Sequence, residues 1–371
     1  MVSDVFFWNL RTTPKAGYEV RLRRLLKACG VPDVVRNGDL TAVKIHFGES
    51  GVTGFVSPVW VRPLVAFLRK LGARPFLTDT ATLYVGNRGE AVSHAMQAAA
   101  HGFDPLLLQA PVIIADGLKS QNQRVVPIAG RHFQEAYLAG DILAADSMLT
   151  VTHFKGHELA GIGGCLKNLA MGCATRQGKM HQHGCLGPAV HAEKCKGCES
   201  CVKVCASGAL FLGKDRKIVF NPELCVGCGA CFHACSQGCL QVDWKTDVAL
   251  FVERMMEYAA AVLQSRQRKN SCVHVSFVMQ VTPQCDCAGY SDKPICPDIG
   301  VLASRDPVAL DQACLDLVNR AEALHPSHLP AGIGPGEDKF LAMHPLVPPD
   351  FGLDYAEKLG LGTREHVLRE I

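Results

Sequence analysis

The chain lacks any run of about 18 consecutive apolar residues, so no membrane-crossing helix is expected. Its opening residues, Met1-Val2-Ser3-Asp4-Val5-Phe6-Phe7-Trp8, hold no basic segment followed by an apolar one, and no signal peptide is expected. No long block of Lys or Arg occurs. A net charge of +3 is too mild to argue for nucleic acid. Short basic stretches such as Arg21-Leu22-Arg23-Arg24 read as the solvated face of an amphipathic helix. The G-x-S-x-G nucleophile elbow is missing, as is the radical-type run C-x3-C-x2-C. So are the dinucleotide fingerprint G-x-G-x-x-G and the Walker loop, which disfavours direct use of a nicotinamide cofactor.

Cysteine, by contrast, is abundant: eighteen in 371 residues. Eight of them fall into one spacing, C-x2-C-x2-C-x3-C, written twice at an offset of thirty residues. The first quartet is Cys195, Cys198, Cys201 and Cys205; the second is Cys225, Cys228, Cys231 and Cys235. This is the run that holds [4Fe–4S] clusters in two-cluster bacterial ferredoxins, where the fourth cysteine reaches the other cluster. One cluster is therefore expected on Cys195, Cys198, Cys201 and Cys235, and a second on Cys225, Cys228, Cys231 and Cys205. Structural zinc and a disulfide framework are the competing readings, but zinc tolerates many spacings and does not ask for this repeat. The flanks repeat too, Val204-Cys205-Ala206-Ser207-Gly208-Ala209-Leu210 against Ala234-Cys235-Ser236-Gln237-Gly238-Cys239-Leu240. Cys239 stands where the first half has Ala209 and reads as a small packing residue. The proline that usually follows the fourth cysteine is Ala206 in one half and Ser236 in the other, which leaves a backbone N–H free to bond sulfur. Reduced cysteines in this number fit the cytoplasm.

Around the repeat, short apolar runs alternate with helix-length segments. Strands are expected at Asp4–Trp8, Thr41–Phe47, Arg74–Thr78, Val112–Ala115 and Met148–Thr152, and helices at Tyr18–Cys29, Pro58–Leu71, Glu90–His101 and Phe133–Ala144. Past the repeat come a helix (Val248–Arg266), strands at Cys272–Val281 and Gly300–Ser304, and a helix (Pro307–Ala323) with Asp306 as N-cap. The alternation predicts an α/β layer with a mostly parallel sheet. It is divided as residues 1–188 and 244–371 around an inserted two-cluster ferredoxin-like unit, 189–243. Insertion is preferred to a separate third domain because the tail offers only two clear strands.

A second site is suggested by the segment from His153 to Cys185, rich in Gly, Lys and His, directly after a strand. Ligands in open α/β sheets sit beyond the carboxyl ends of the strands. Gly163 and Gly164, opening a helix, form a candidate anion cradle. Lys155, Lys167 and Lys179 are candidates to bind an anionic molecule, a flavin among them. His46 and His157 are candidates for general acid or base. Lys44, Glu49, Asp79, Thr80, Thr82 and Tyr84 are further polar residues at strand ends. A plain surface loop is the commoner explanation for each alone. Cys285, Cys287 and Cys296, three cysteines in twelve residues, suggest a third cluster or metal, with Cys173 or Cys185 as a fourth ligand. Reduced thiols or a redox disulfide are the alternatives. Cys29, Cys272 and Cys314 read as buried apolar residues.

Leu77-Thr78-Asp79-Thr80, Leu83-Tyr84, His153-Phe154-Lys155-Gly156-His157, Gly163-Gly164-Cys165-Leu166-Lys167-Asn168, Met171-Gly172 and Ala303-Ser304-Arg305-Asp306-Pro307-Val308-Ala309 resemble the family catalogued as domain of unknown function 362. The nearest likeness is to members carrying an inserted two-cluster ferredoxin unit. The resemblance runs from about residue 40 to 320. It implies an architecture but supplies no substrate. Three functions remain in play. An iron–sulfur oxidoreductase would act on a small anionic molecule. A ferredoxin-type carrier would serve a redox partner protein. A delivery factor would pass on metal from a labile site.

Overall fold

The computed structural model describes residues 2–184, 187–241, 247–346 and 348–371. Eight strands form one sheet: β1 (Ser3–Trp8), β2 (Leu40–Ile45), β3 (Arg74–Asp79), β4 (Val112–Ile114), β5 (Ser147–His153), β6 (Cys272–Val278), β7 (Gly300–Ser304) and β8 (His366–Glu370), in the order β8-β1-β7-β6-β5-β2-β3-β4. The pairings β6–β5, β5–β2, β2–β3, β3–β4 and β1–β8 are parallel; β7 alone runs against both neighbours. This is the mostly parallel α/β sheet that the alternation predicts. Strands from before and after the cysteine repeat lie side by side in it, β5 pairing with β6.

The central strand β5, Ser-Met-Leu-Thr-Val-Thr-His, is buried throughout, as a parallel strand covered on both faces must be. Successive residues point to opposite faces. Leu149 and Val151 join Val43, Ile45, Val273 and Val275 in one core, beneath the helices α1 (Tyr18–Ala28) and α2 (Pro58–Lys70). Met148 and Ala42 belong to the other core. The helices covering it are α4 (Cys165–Cys173), α6 (Val248–Gln264) and α7 (Pro307–Arg320), while α3 (Ala91–Ala100) packs near β4. Asp306 caps α7 as expected, accepting from the N–H groups of Val308 and Ala309 at 2.9 and 3.0 Å. Cys29, Cys272 and Cys314 are all buried in these cores.

Two expectations are corrected. The segment Phe133–Ala144 is not one helix: Glu135–Ala139 is a strand paired with Gln123–Pro127, and only Gly140–Ala144 is helical. Its Gln, Glu, Ala and Leu favour helix, but Ala136 and Leu138 alternate inward with Glu135 and Tyr137 outward, and packing overrides propensity. The tail holds a third strand, β8, which lies at the sheet edge beside β1.

Residues 189–241 carry the quartets on two similar units. Each runs through a short 3-10 turn, a loop and a short helix, Ser200–Lys203 in one half and Ala230–Ala234 in the other. Two small strand pairs flank them, Leu210–Leu212 with Ile218–Phe220 and Ala189–Val190 with Leu240–Gln241. A separate small core gathers Cys195, Cys201, Cys235, Cys239, Leu210, Ile218 and Phe232, joined by Leu83 and Met180 from elsewhere in the chain. Cys239 is 2% exposed there, in keeping with a packing role. The expected boundary at 243, like Cys185, lies outside the described residues.

Candidate functional site

A cavity of about 140 Å³ opens at the carboxyl ends of β2, β3 and β5. It is lined by every residue singled out for the anion site, Lys155, Gly163, Gly164, Lys167 and Lys179, and by both candidate histidines, His46 and His157. The fold explains the convergence. His46 stands just past β2, and Thr80 and Thr82 just past β3. Lys155 and His157 sit on a short strand that folds back against Gly161–Gly163. Lys167 and Asn168 follow on α4, and Lys179 on α5 (Arg176–His183), whose N-cap Thr175 accepts from Gly178 N–H at 3.3 Å.

Most charges here are buried and paired. Lys44 Nζ lies 3.0 Å from Asp79 and donates to Asn168 Oδ1 at 2.7 Å. Arg88 Nε meets Glu49 at 3.1 Å. Lys155 Nζ meets Asp286 at 2.9 Å, and His153 Nδ1 faces the same carboxylate at 2.8 Å. Burial would raise the Asp286 carboxyl, yet His153 and Lys155 hold it at about 2. Two of the cavity's lysines, Lys167 and Lys179, have no carboxylate within ion-pair distance among the described residues. Lys179 Nζ donates to Thr80 Oγ1 at 2.5 Å and to the Ala174 carbonyl at 2.8 Å, and burial lowers it to about 8. Lys167 Nζ donates to Cys285 Sγ at 3.3 Å. These are the cations best placed to meet an incoming anion.

The glycine cradle works differently from the expectation. Asp311, from α7, already caps the N-terminus of α4, accepting from Cys165 N–H at 2.7 Å and Leu166 N–H at 2.9 Å. A Cβ on Gly164 would stand 2.5 Å from that carboxyl group, which burial raises to about 7, so the glycine admits the protein's own acid. An external anion is left to the lysines. The two candidate histidines, His46 and His157, share one electrostatic setting. Burial, with Arg88 beside His46 and Lys167 and Lys155 beside both rings, holds each imidazole well below its ordinary range. Neither stores a proton as imidazolium near neutral pH. His46 Nε2 lies 2.8 Å from Arg88 Nη1, and Gly48 N–H donates to its Nδ1.

The third cysteine group is regrouped. Cys285 and Cys287 lie with His157, their ligand atoms all within 4.8 Å of one another, close enough for one metal ion. Cys296 is elsewhere, in the main core at 1% exposure, its thiol pushed up to about 12 by burial. Cys173 is likewise buried in that core, beside Asn168.

Among the described residues no disulfide joins the eight quartet cysteines. The sulfurs neighbour one another in the crossed pattern: Cys201 is near Cys235 and Cys195, and Cys231 near Cys228, Cys225 and Cys205. Backbone N–H groups point at sulfur in equivalent places, Gly197 to Cys195 at 3.4 Å and Gly227 to Cys225 at 3.5 Å. The second quartet borders the cavity wall. His233 Nε2 donates to the Thr82 carbonyl at 2.9 Å, a Cβ on Gly229 would sit 3.1 Å from Leu83, and Arg176 on α5 feels Cys228 and Cys231. Thr82, Leu83 and Lys179 line the cavity on their other side.

Arg88 and Asp286, which organise the cavity's charge pairs, carry no motif of their own. Asp286 sits between two cysteines that draw attention from it, and Arg88 is nine residues beyond the end of β3.

Fold and site together define an α/β protein with a cation-lined cavity at its strand ends and a cysteine-rich segment against the cavity wall. The chain belongs to the family described as Domain of unknown function (DUF362), whose profile matches residues 41–316. No curated protein matches it. Among solved structures it is similar to the lactate racemase apoprotein from Thermoanaerobacterium thermosaccharolyticum, at 13% identity and a TM-score of 0.39, covering 75% of this chain and 51% of that one. It is also similar to a structural-genomics target from Thermotoga maritima, at 9% identity and a TM-score of 0.45, covering 84% of this chain and 61% of that one. The chain thus spans about half the length of the racemase apoprotein. No helix among the described residues is long and apolar enough to cross a membrane.

Proposed function

We propose that this chain is an iron–sulfur oxidoreductase of the reduced cytoplasm. Residues 189–243 form a ferredoxin-like insertion holding two [4Fe–4S] clusters, between α/β segments 1–188 and 244–371. The clusters sit on Cys195, Cys198, Cys201 and Cys235, and on Cys225, Cys228, Cys231 and Cys205. Bound there, they supply single electrons at low potential. The α/β cavity holds a small anionic molecule, a flavin being one candidate, with Lys167 and Lys179 on its negative group and Lys155 and Arg88 fixing the surrounding charges.

The observation that carries this reading is the shared wall. The loop after β3 and helix α5 face the cavity with Thr82, Leu83 and Lys179 and face the second quartet with Leu83, Met180 and Arg176. A carrier serving only an outside partner has no use for a cation-lined cavity behind its cluster loop.

Iron and acid-labile sulfide, measured on protein purified without oxygen, should come to about eight of each per chain. Lys167→Ala should then abolish ligand binding and turnover while the visible cluster spectrum stays intact. Survival of both binding and turnover in that variant removes the anion pocket and leaves a carrier for a redox partner protein. Absorbance near 450 nm that appears as fluorescence on denaturation identifies flavin.

A further inference from the structure

Cys285 and Cys287 occupy the first and third positions of a β-turn closed by Ala288 N–H donating to the Cys285 carbonyl at 2.9 Å. That turn sets their Cα atoms roughly within the 4.4–6.8 Å that a disulfide spans. It is clamped from several sides. Asp286 is pinned by His153 and Lys155, its carbonyl accepts from Glu49 N–H at 3.0 Å, and the Pro283 carbonyl faces His344 Nε2 at 2.8 Å. Cys287 lines the cavity, and Cys285 lies behind it at 1% exposure.

A metal ion is the first reading of His157, Cys285 and Cys287, and the hydrogen bonds oppose it. His157 Nδ1 accepts from both Leu159 and Ala160 N–H at 3.1 Å. A neutral imidazole engaged in this way carries its proton on Nε2. Nδ1 has spent its lone pair on the backbone, and Nε2 has a hydrogen in place of one. The ring therefore offers no lone pair to a metal. Lys167 Nζ, 3.3 Å from Cys285 Sγ, is a donor and a positive charge. A donating cation beside a thiol stabilises its thiolate and repels a metal ion.

We propose that Cys285 and Cys287 form a redox-active dithiol in the cavity wall, exchanging with small anionic disulfides drawn in by the lysines. This does not depend on the clusters. Cys285 starts as the thiolate and Cys287 as the thiol. Cys287 sulfur attacks the incoming disulfide as its proton passes to Cys285, the substrate S–S bond breaks, and one thiolate leaves. Cys285 sulfur then closes on the mixed disulfide, and the second half leaves with the proton. The Cys285–Cys287 bond forms, the pair loses two electrons and one proton, and the substrate departs as one thiolate and one thiol. Burial of Cys285 behind Cys287 makes the order of attack definite.

The test is an anaerobic titration of the whole protein in reduced and oxidised glutathione, quenched by alkylation and read by peptide mass. The peptide carrying both cysteines should pass from doubly alkylated to internally bridged in one two-electron step. Lys167→Gln should favour the bridged form by about tenfold, ~30 mV, because the thiolate loses its cation. Cys287→Ser should stop at a single unbridged thiol while the quartet iron is retained. Two thiols that stay alkylatable throughout, or glutathione adducts that never resolve, overturn the proposal. So does one zinc or iron per chain, beyond the quartet iron, that Cys285→Ser removes. Quartet iron, measured in the same samples, reports separately on the clusters.

Discussion

The two halves of the cysteine repeat share a spacing and differ in their surroundings. In the first, Lys194, Lys196 and Lys203 are exposed around the loop, and Cys198 faces solvent. At the positions thirty residues on stand Leu224 and Val226, which are exposed as well, and His233. His233 bonds the Thr82 carbonyl, and Gly229 lets Leu83 approach. Both loops expose side chains to water, and the second differs by its junction, where His233 and Gly229 meet the α/β cavity wall. The lesson is that identical ligand spacing does not make identical sites. The residues between the ligands decide which half faces outward and which faces the cavity.

The strongest way to break this comparison is to remove one quartet at a time. On the proposed reading of one four-iron cluster per quartet, Cys228→Ser and Cys198→Ser should each lower the iron content from about eight to about four per chain. Only Cys228→Ser should also stop electron delivery to the cavity at first order, because the second quartet borders it. Equal loss of delivery with full iron in either variant removes the inner and outer assignment.

Next in size is the junction itself. Leu83 is 2% exposed and packs into the small cysteine core. Leu83→Ala should cost about 2–4 kcal/mol, as large-to-small changes in cores do. Phe211, 46% exposed in the first half, should cost under about 1 kcal/mol on the same change. Denaturant unfolding followed by the cluster absorbance measures both. A junction that merely touches would show the two variants alike.

Much of the fold was legible because its strands obey local rules. Ser147–His153 is a buried run rich in β-branched residues with helix patterns on either side, and Asp306-Pro307 is a helix start that needs no tertiary context. The cavity was legible through the strand-end rule, which put Lys44, His46, Asp79 and Lys155 near one another. What stayed hidden depends on partners distant in sequence. Asp311 fills the helix terminus at Cys165 from 146 residues away, so the glycines there read as a cradle for an outside anion. Cys296 reads as a companion of Cys285 by spacing, but burial in the main core takes it elsewhere and His157 takes its place. The edge strand His366–Glu370 is short and half exposed, and carries no apolar alternation strong enough to read.

A gentler probe is pH. Burial lowers His233 from its ordinary 6.5, so the ring is neutral in the folded junction. The unfolded chain binds that proton more readily, and stability therefore rises with pH across this window. The junction's contribution is full above pH 6.5 and declines as pH falls below it. The rate of cluster loss from the second quartet should rise between pH 7.5 and 5.5, and His233→Gln should flatten that rise. The same slope in His233→Gln would place the sensitivity in another buried histidine, such as His94 or His274, each lowered to about 3.

The smallest effect tests the comparison at a single backbone position. Glu199 and Gly229 open the two short helices in the same left-handed conformation, φ 63° and 68°. A side chain there is strained by roughly 1 kcal/mol, while glycine adopts it freely. The first half tolerates glutamate because its loop faces water, and Arg216 lies 3.7 Å from the carboxylate. The second half cannot, because Leu83 stands 3.1 Å from where a Cβ would fall. Glu199→Gly should therefore stabilise the chain by about 0.5–1 kcal/mol, the strain relieved exceeding a weak exposed ion pair. Gly229→Ala adds the same strain and presses on Leu83, so it should destabilise by about 1–3 kcal/mol. Opposite signs at equivalent positions are the expected result. If both changes destabilise, backbone conformation is not what separates the halves, and the exposed lysines carry the difference alone.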